Sequence, residues 1–303
     1  MNLIAGLGQI LGVALAPLLV GSIQSLKARL QGRRGPSPLQ PYRMLGRLWS
    51  KSAVDPEETG IVYRLAPPLV AACLIIALMI VPVAARGVGF GVGHDALVLV
   101  GMLALARFAV AAAAWDTSNG FALMGAARDL MIAVFGEALL VLALLVAAIP
   151  VHSTDLKRMS SGAAGWHVWS GPTHWCGAVA FALVILVETG RQPVDNPDTH
   201  LELTMIHEGP LLEYAGRDLA YLQWAAAARH WLVLVLLAQV FLPHAHDVRL
   251  QLAVLPAVLV AACAGLALVE TLVVKMRILL VPRLLAVGAV VGVLGIAAKL
   301  VGA

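Results

Sequence analysis

Charge is what this chain has least of. Asp, Glu, Lys and Arg make up 13% of its 303 residues, against roughly 25% in a soluble domain. With 60% hydrophobic residues and a mean hydropathy of +0.89, a soluble fold is excluded. Cysteine is scarce as well. Cys73, Cys176 and Cys263 lie far apart in apolar runs and form no CxxC, so neither zinc nor iron–sulfur spacing is present. They read as small packing residues, and no cofactor is expected on this chain. A cleaved signal peptide is missing too. Residues 1–26 have no basic leader and run directly into Lys27 and Arg29, so they are expected to stay as a first span.

What is abundant is apolar sequence in runs of about 20 residues, the length a bilayer-spanning helix needs. Eight spans are predicted, over 3–25, 65–85, 96–115, 129–150, 172–188, 226–243, 251–273 and 278–299. The sixth is the least regular, because 231–242 is short unless helix continues back past Arg229. The expected fold is therefore an all-α integral membrane protein, a single membrane domain over 1–303 with amphipathic helices in its loops. No internal repeat stands out. Fifteen of the 21 Lys and Arg fall in the odd-numbered loops and five on the other side, with Arg107 inside a span. By the positive-inside rule both termini face out, and the loops at about 26–64 and 189–225 face the cytoplasm.

The fourth loop, on the outer side, holds Trp166, Trp169 and Trp175 with His152, His167 and His174. Tryptophans there suit the headgroup level. The histidines lack an acidic partner or regular interval and do not read as a metal site. Gly87 to Gly93 (GVGFGVG) has no strand before it and is a flexible connection rather than a nucleotide loop. His244 and His246 form a short outer turn.

A charge inside the membrane costs roughly 2.5–3.5 kcal/mol on insertion scales, so those that occur need a reason. Arg107 lies mid-span in the third helix and Glu137 about two turns into the fourth. Glu188 and Glu270 end the fifth and seventh. One explanation is structural: Arg107 pairs with a carboxylate such as Glu137. The other is that buried carboxylates pass protons along a hydrated line. Glu188 and Glu270 sit near a membrane face, where a side chain reaches water more easily.

The fifth loop, ETGRQPVDNPDTHLELTMIHEGPLLEYAGRD, carries seven acidic residues in 31 positions: Glu188, Asp195, Asp198, Glu202, Glu208, Glu213 and Asp218. Arg191 and Arg217 are its only Lys or Arg. Pro193 and Pro197 make 192–197 an irregular turn. Asp198 or Thr199 then caps a predicted helix over 200–207, with Leu201, Met205 and Glu208 in an i, i+4, i+7 row. Self-repulsion implies that several of these acids are protonated or paired, and the interleaved Leu, Met and Tyr point to a buried or interface location. The first loop is basic, with eight cations that would suit anionic headgroups. Its prolines and glycines give it a shape, and from Tyr42 a helix with Leu45, Leu48 and Trp49 on one side fits the membrane interface. Facing each other, the two loops would enclose a polar chamber.

ARLQGRRGPSPLQPYRMLGRLW resembles the first cytoplasmic loop of the respiratory complex I subunit that forms the quinone chamber, through Gln31, Arg33, Gly35, Pro36, Leu39, Gln40 and Pro41. FALMGAARDLMIAVFGEALL, with Arg128 and Glu137, resembles the next loop and span of that family. ETGRQPVD, Glu202 and the neighbours Glu213 and Tyr214 match as well. NPDTHLELTMIHEGPLLEYAGRDLA and ETLVVKMRILLVPRLL are more similar to the membrane subunit of formate hydrogenlyase, hydrogenase-4 and related energy-converting nickel–iron hydrogenases.

The resemblance implies a role rather than a catalytic site. In such complexes a cytoplasmic arm holds the nickel–iron centre and iron–sulfur clusters on partner chains. The expected partners are hydrogenase large and small subunits, iron–sulfur subunits, antiporter-like membrane subunits and the bilayer, with no nucleic acid. The expected location is a prokaryotic inner membrane. Family positions carried over are Arg33, Arg128, Glu137, Glu188, Arg191, Asp195, Glu202 and Glu213, with His207 and Glu208 as branch-specific additions. Candidates for proton coupling are Glu137, Glu188, Asp195, Glu202, Glu208, Glu213 and Glu270. Candidates for arm docking or the chamber are Arg33, Arg34, Gln40, Arg128, Arg191, His207 and Arg217. Two alternatives remain open here: the quinone-site subunit of a complex I-like dehydrogenase, and a stand-alone ion transporter.

Overall fold

The computed structural model describes residues 3–56, 59–83, 93–163, 168, 171–195, 205–242 and 247–301. Among these residues there are ten α-helices and no strand: α1 Leu3–Leu30, α2 Gln40–Trp49, α3 Ile61–Ile80, α4 Ala96–Asp116, α5 Gly120–Ala148, α6 Leu156–Ala163, α7 Pro172–Glu188, α8 Gly216–Leu236, α9 Val248–Leu272 and α10 Val281–Val301. Seven are long and apolar enough to cross a membrane. The eighth predicted span is α7, whose 17 residues reach about 26 Å at 1.5 Å per residue. Proline inside α1, α3 and α9 is tolerated, because neighbouring helices in a bundle satisfy the backbone it frees.

At the centre lies α8, packed against α1, α2 and α3. Its span is 78% buried, against 28% for α9 and α10. That position explains the largest error in the predicted spans. The first half of α8 carries Arg217, Asp218 and Gln223, and hydropathy reads it as loop until about 226. It is helix from Gly216, because protein rather than lipid surrounds it. The start of α5 moves for a related reason: Asn119 caps it, its Oδ1 accepting from Phe121 N at 2.8 Å, nine residues before the predicted 129.

The interfacial helix expected from Tyr42 is α2, opened by a proline in its first turn. Tyr42 donates to Ala14 O at 2.6 Å and Trp49 meets Tyr221 edge-on at 5.1 Å, so the helix lies against α1 and α8. The helix predicted over 200–207 needs correction. Residues 196–204, with Asp198 and Glu202, are outside the described residues. Its described end, Met205–Glu208, is a bend leading into a 3-10 turn, Gly209–Leu211. Trp166, His167, Trp169, His244, His246 and most of GVGFGVG also fall outside the described residues.

The basic first loop marks one side of the bundle as its basic face. At the opposite face the buried polar groups are neutral. Gln9 donates to Met79 O at 2.7 Å and Val81 O at 3.3 Å, and Gln239 to Val83 O at 2.7 Å. Gln239 Oε1 accepts in turn from Ser160 Oγ at 3.3 Å and from Gln251 Nε2. These amides serve the carbonyls released where α3 ends.

Candidate functional site

Toward the basic face, the buried polar groups are charged. Arg107 projects from an alanine-rich stretch of α4 and is 4% exposed. Its Nη2 donates to Glu188 Oε2 at 3.0 Å, Nη1 lies 3.7 Å from Glu137 Oε1, and Nε lies 3.8 Å from Asp129 Oδ2. Arg229 Nη1 reaches the same Glu188 oxygen at 3.4 Å. Asp129 and Glu137 stand about two turns apart on α5. Glu188 closes α7 and is 3% exposed, and its other oxygen, Oε1, has no hydrogen-bond partner. Two cations and three carboxylates thus form one cluster, with Arg107, Glu188 and Asp129 buried and Arg229 and Glu137 half-buried.

A second cluster lies beside it. Glu270 of α9 is 3% exposed and accepts from Arg191 Nη1 at 2.8 Å, with Lys27 Nζ of α1 at 3.3 Å. Arg191 Nε also donates to His230 Nε2 at 3.2 Å. His230 Nε2 is therefore an acceptor, so Nδ1 carries the proton and donates to Ala226 O at 2.9 Å. Neither Glu188 nor Glu270 reaches out to water, although both end their helices. The pairing of Arg107 with Glu137 expected from the sequence exists, but Glu188 is its closer partner.

The loop after α7 joins these clusters. Asp195 accepts from Lys275 Nζ at 2.9 Å, and Pro193 O accepts from Met276 N at 2.9 Å, fastening the loop to the segment after α9. Burial by itself would raise the Asp195 carboxyl. Hydrogen bonds from His207 and Lys275 outweigh that and hold it at about 2. His207 stands between Asp195 Oδ2, 3.4 Å from Nδ1, and Asp129 Oδ1, 3.6 Å from Nε2.

Glu213 belongs to a separate latch. Its side chain accepts from Asn119 and its carbonyl from Tyr63 Oη at 2.8 Å, while Tyr214 Oη donates to Tyr63 O at 2.9 Å. The two tyrosine rings stack at 4.3 Å and 3°. Burial pushes the Tyr214 phenol well above its ordinary value. Glu208 is exposed, as are Arg33, Arg34 and Arg217; Gln40 and Arg128 are half-buried. Arg128 Nη1 donates to Met205 O at 3.4 Å.

Of the predicted set, Glu137, Glu188, Asp195, Glu270, Arg191 and His207 therefore come together, and Glu202 is outside the described residues. Asp129, Lys27, Arg229, His230 and Lys275 complete the network, and sequence reasoning misses them. In the sequence Lys27, Arg229 and Lys275 count only as loop cations that orient the chain. Asp129, beside Arg128 at a span boundary, is visible there as a charge next to an apolar run. A cavity of about 230 Å³ lies at the opposite face, lined by residues such as Met159, His174, Phe241 and Lys299. It holds none of the candidates. Among the described residues, no group of three or more His, Cys, Asp or Glu is arranged to hold a metal ion.

Long apolar helices around a buried ion network define a multi-pass membrane protein. Residues 3–297 match the family model described as NADH dehydrogenase, and the chain belongs to that family. It is homologous to hydrogenase-4 component C of Escherichia coli, 33% identical over 242 residues that cover 80% of this chain and 75% of the relative. Formate hydrogenlyase subunit 4 of the same organism is 31% identical over 278 residues, covering 89% and 90%. A subunit of the NADH-quinone oxidoreductase of Chlorobaculum parvum is 25% identical over 232 residues, covering 72% and 64%. The fold matches a chain in the structure of the membrane-bound sulfane sulfur reductase, an archaeal respiratory membrane complex. The TM-score is 0.84 at 22% identity, with 97% of this chain and 98% of that chain covered.

Proposed function

We propose that this chain is the membrane-anchoring and proton-coupling subunit of a membrane-bound nickel–iron hydrogenase complex. It links electron transfer in a cytoplasmic arm to ion movement in the membrane. The observation that carries the reading is the partly buried network running from Lys275 and Asp195, through His207 and Asp129, to Arg107, Glu188 and Glu137. Ionisable groups in a membrane pair with one another and mark ion paths. Here a change of charge at the loop end is felt, ion pair by ion pair, at Glu137. That carboxylate is 27% exposed at its side chain, open enough to exchange a proton with a neighbouring subunit.

In this reading the basic face is cytoplasmic, in a prokaryotic inner membrane. The exposed Arg33, Arg34 and Arg217 receive an arm whose own subunits carry the nickel–iron centre and iron–sulfur clusters. Antiporter-like membrane subunits receive the protons. The hydrogenase relatives, at 31% and 33% identity, support this branch over a quinone-reactive one, at 25%. Glu137→Gln should leave the complex assembled while abolishing ion movement coupled to electron transfer; unchanged ion movement would remove Glu137 from the path. Reversing Arg33 and Arg34 to Glu should release the arm from membranes, and an arm still bound would refute the docking role.

A further inference from the structure

His207 lies in no helix, yet three close approaches place it: one beside its ring and two along the backbone that carries it. Gly190 has φ +59°, and a Cβ there would sit 2.8 Å from His207 Nδ1, so glycine is required twice over. Gly125 of α5 meets Gly209 backbone to backbone; a Cβ on Gly125 would come within 2.8 Å of Gly209 Cα. Arg128 holds the carbonyl of Met205, two residues before the histidine, at 3.4 Å. The ring so held has a carboxylate on each side, Asp195 at 3.4 Å and Asp129 at 3.6 Å, from two different parts of the chain.

A neutral imidazole has one N–H and one lone pair. In this position its lone pair would point at a carboxylate oxygen, which repels it. Only a ring protonated at both nitrogens can donate to Asp195 at 3.4 Å and at the same time pair as a cation with Asp129 at 3.6 Å. We propose that His207 is a proton-dependent clasp. Charged, it joins Asp195 of the loop to Asp129 of α5; uncharged, it lets one of them go, and the ion network parts there.

The groups around the ring favour this assignment. Asp129 and Arg128 come from α5, Asp195 from the segment after α7, and Lys275 from the segment after α9. Arg229 and His230 stand behind on α8, and Glu208 follows in the chain. Hydrogen bonds from His207 and Lys275 hold the Asp195 carboxyl well below the usual carboxylate range, and imidazole is the side chain whose ordinary titration lies near neutrality. His207 is thus a positioning residue. It touches no reacting atom, but its charge decides whether the loop and the intramembrane cluster form one network. Only the consequence for coupling rests on the proposed function; the clasp itself rests on geometry.

The test uses the full chain in lipid with nitrogen-15 histidine, read by solid-state NMR. His207→Gln identifies the His207 signal by its loss. At about pH 6 the parent should show this ring protonated at both nitrogens. Asp129→Asn should cut that doubly protonated fraction by about threefold or more at the same pH. A neutral ring in the parent, or the same fraction in Asp129→Asn and Asp195→Asn as in the parent, would overturn the clasp. In the intact complex, His207→Gln should lower ion movement per electron pair at acid pH. His207→Lys, a permanent cation, should keep coupling at alkaline pH where the parent loses it. A parent-like pH profile in both variants would also overturn it. Unchanged ion movement in Glu137→Gln would instead count against the proton-coupling reading and leave the NMR result to judge the clasp.

Discussion

The two ends of the helix bundle bury polar groups by different chemistry. At the opposite face, Gln9, Gln239, Gln251 and Ser160 answer freed backbone carbonyls with neutral donors. Toward the basic face, Arg107, Glu188, Arg191, Glu270 and their partners bury full charges. Both arrangements satisfy buried groups, but the second carries a desolvation cost that an amide would avoid. Chain packing therefore does not require charge. Full charges are buried where the acidic loop meets the membrane; at the other end the buried polar groups are neutral, and charged caps such as Asp95 and Asp247 stay near the surface.

That contrast can be broken from either side. The largest effect is expected from Arg107→Leu, which removes the cation shared by Glu188, Asp129 and Glu137; a loss of about 3–5 kcal/mol should appear in thermal unfolding of the purified chain in detergent. Glu270→Gln removes the carboxylate that Arg191 and Lys27 share and should cost about 3 kcal/mol, unfolding at a lower temperature than the parent. Asp195→Asn should cost about 2 kcal/mol at neutral pH. The Asp195 carboxyl titrates at about 2 in the folded chain against 3.8 for an ordinary aspartate, so its contribution is complete above pH 3.8 and disappears as pH falls through 2. A pH series should therefore bring variant and parent together in acid. Gln251→Leu, at the neutral end, should cost only about 1 kcal/mol. Equal losses at the two ends would erase the distinction.

The helices are legible in the sequence because apolar runs of membrane length dominate the hydropathy: seven of the eight predicted spans are helices long and apolar enough to cross a membrane, and the eighth is the shorter α7. Their ends are less legible. Gly216 to Ala226 looks like loop because hydropathy assumes lipid around every span, whereas α8 is wrapped by α1, α2 and α3. Glu137 and Arg107 stand out as charges in apolar surroundings. Lys27, Arg229 and Lys275 do not, since a cation just outside an apolar run is normally solvated. Only the approach of α1, α8 and the segment after α9 to the loop makes them buried partners. The bridge at His207 depends on Gly190, Gly125 and Gly209 letting backbones approach, a tertiary fact that no spacing along the chain encodes. The quiet glutamines at the other end leave almost no trace in hydropathy.

The central claim is that the charged end, unlike the neutral one, takes part in ion movement. Charge displaced per electron pair, measured on the intact complex in sealed vesicles, tests it directly when Glu137→Gln and Gln251→Leu are compared at matched assembly. The account predicts loss of displacement in Glu137→Gln and a parent-like value in Gln251→Leu. Equal values in the two variants would contradict it.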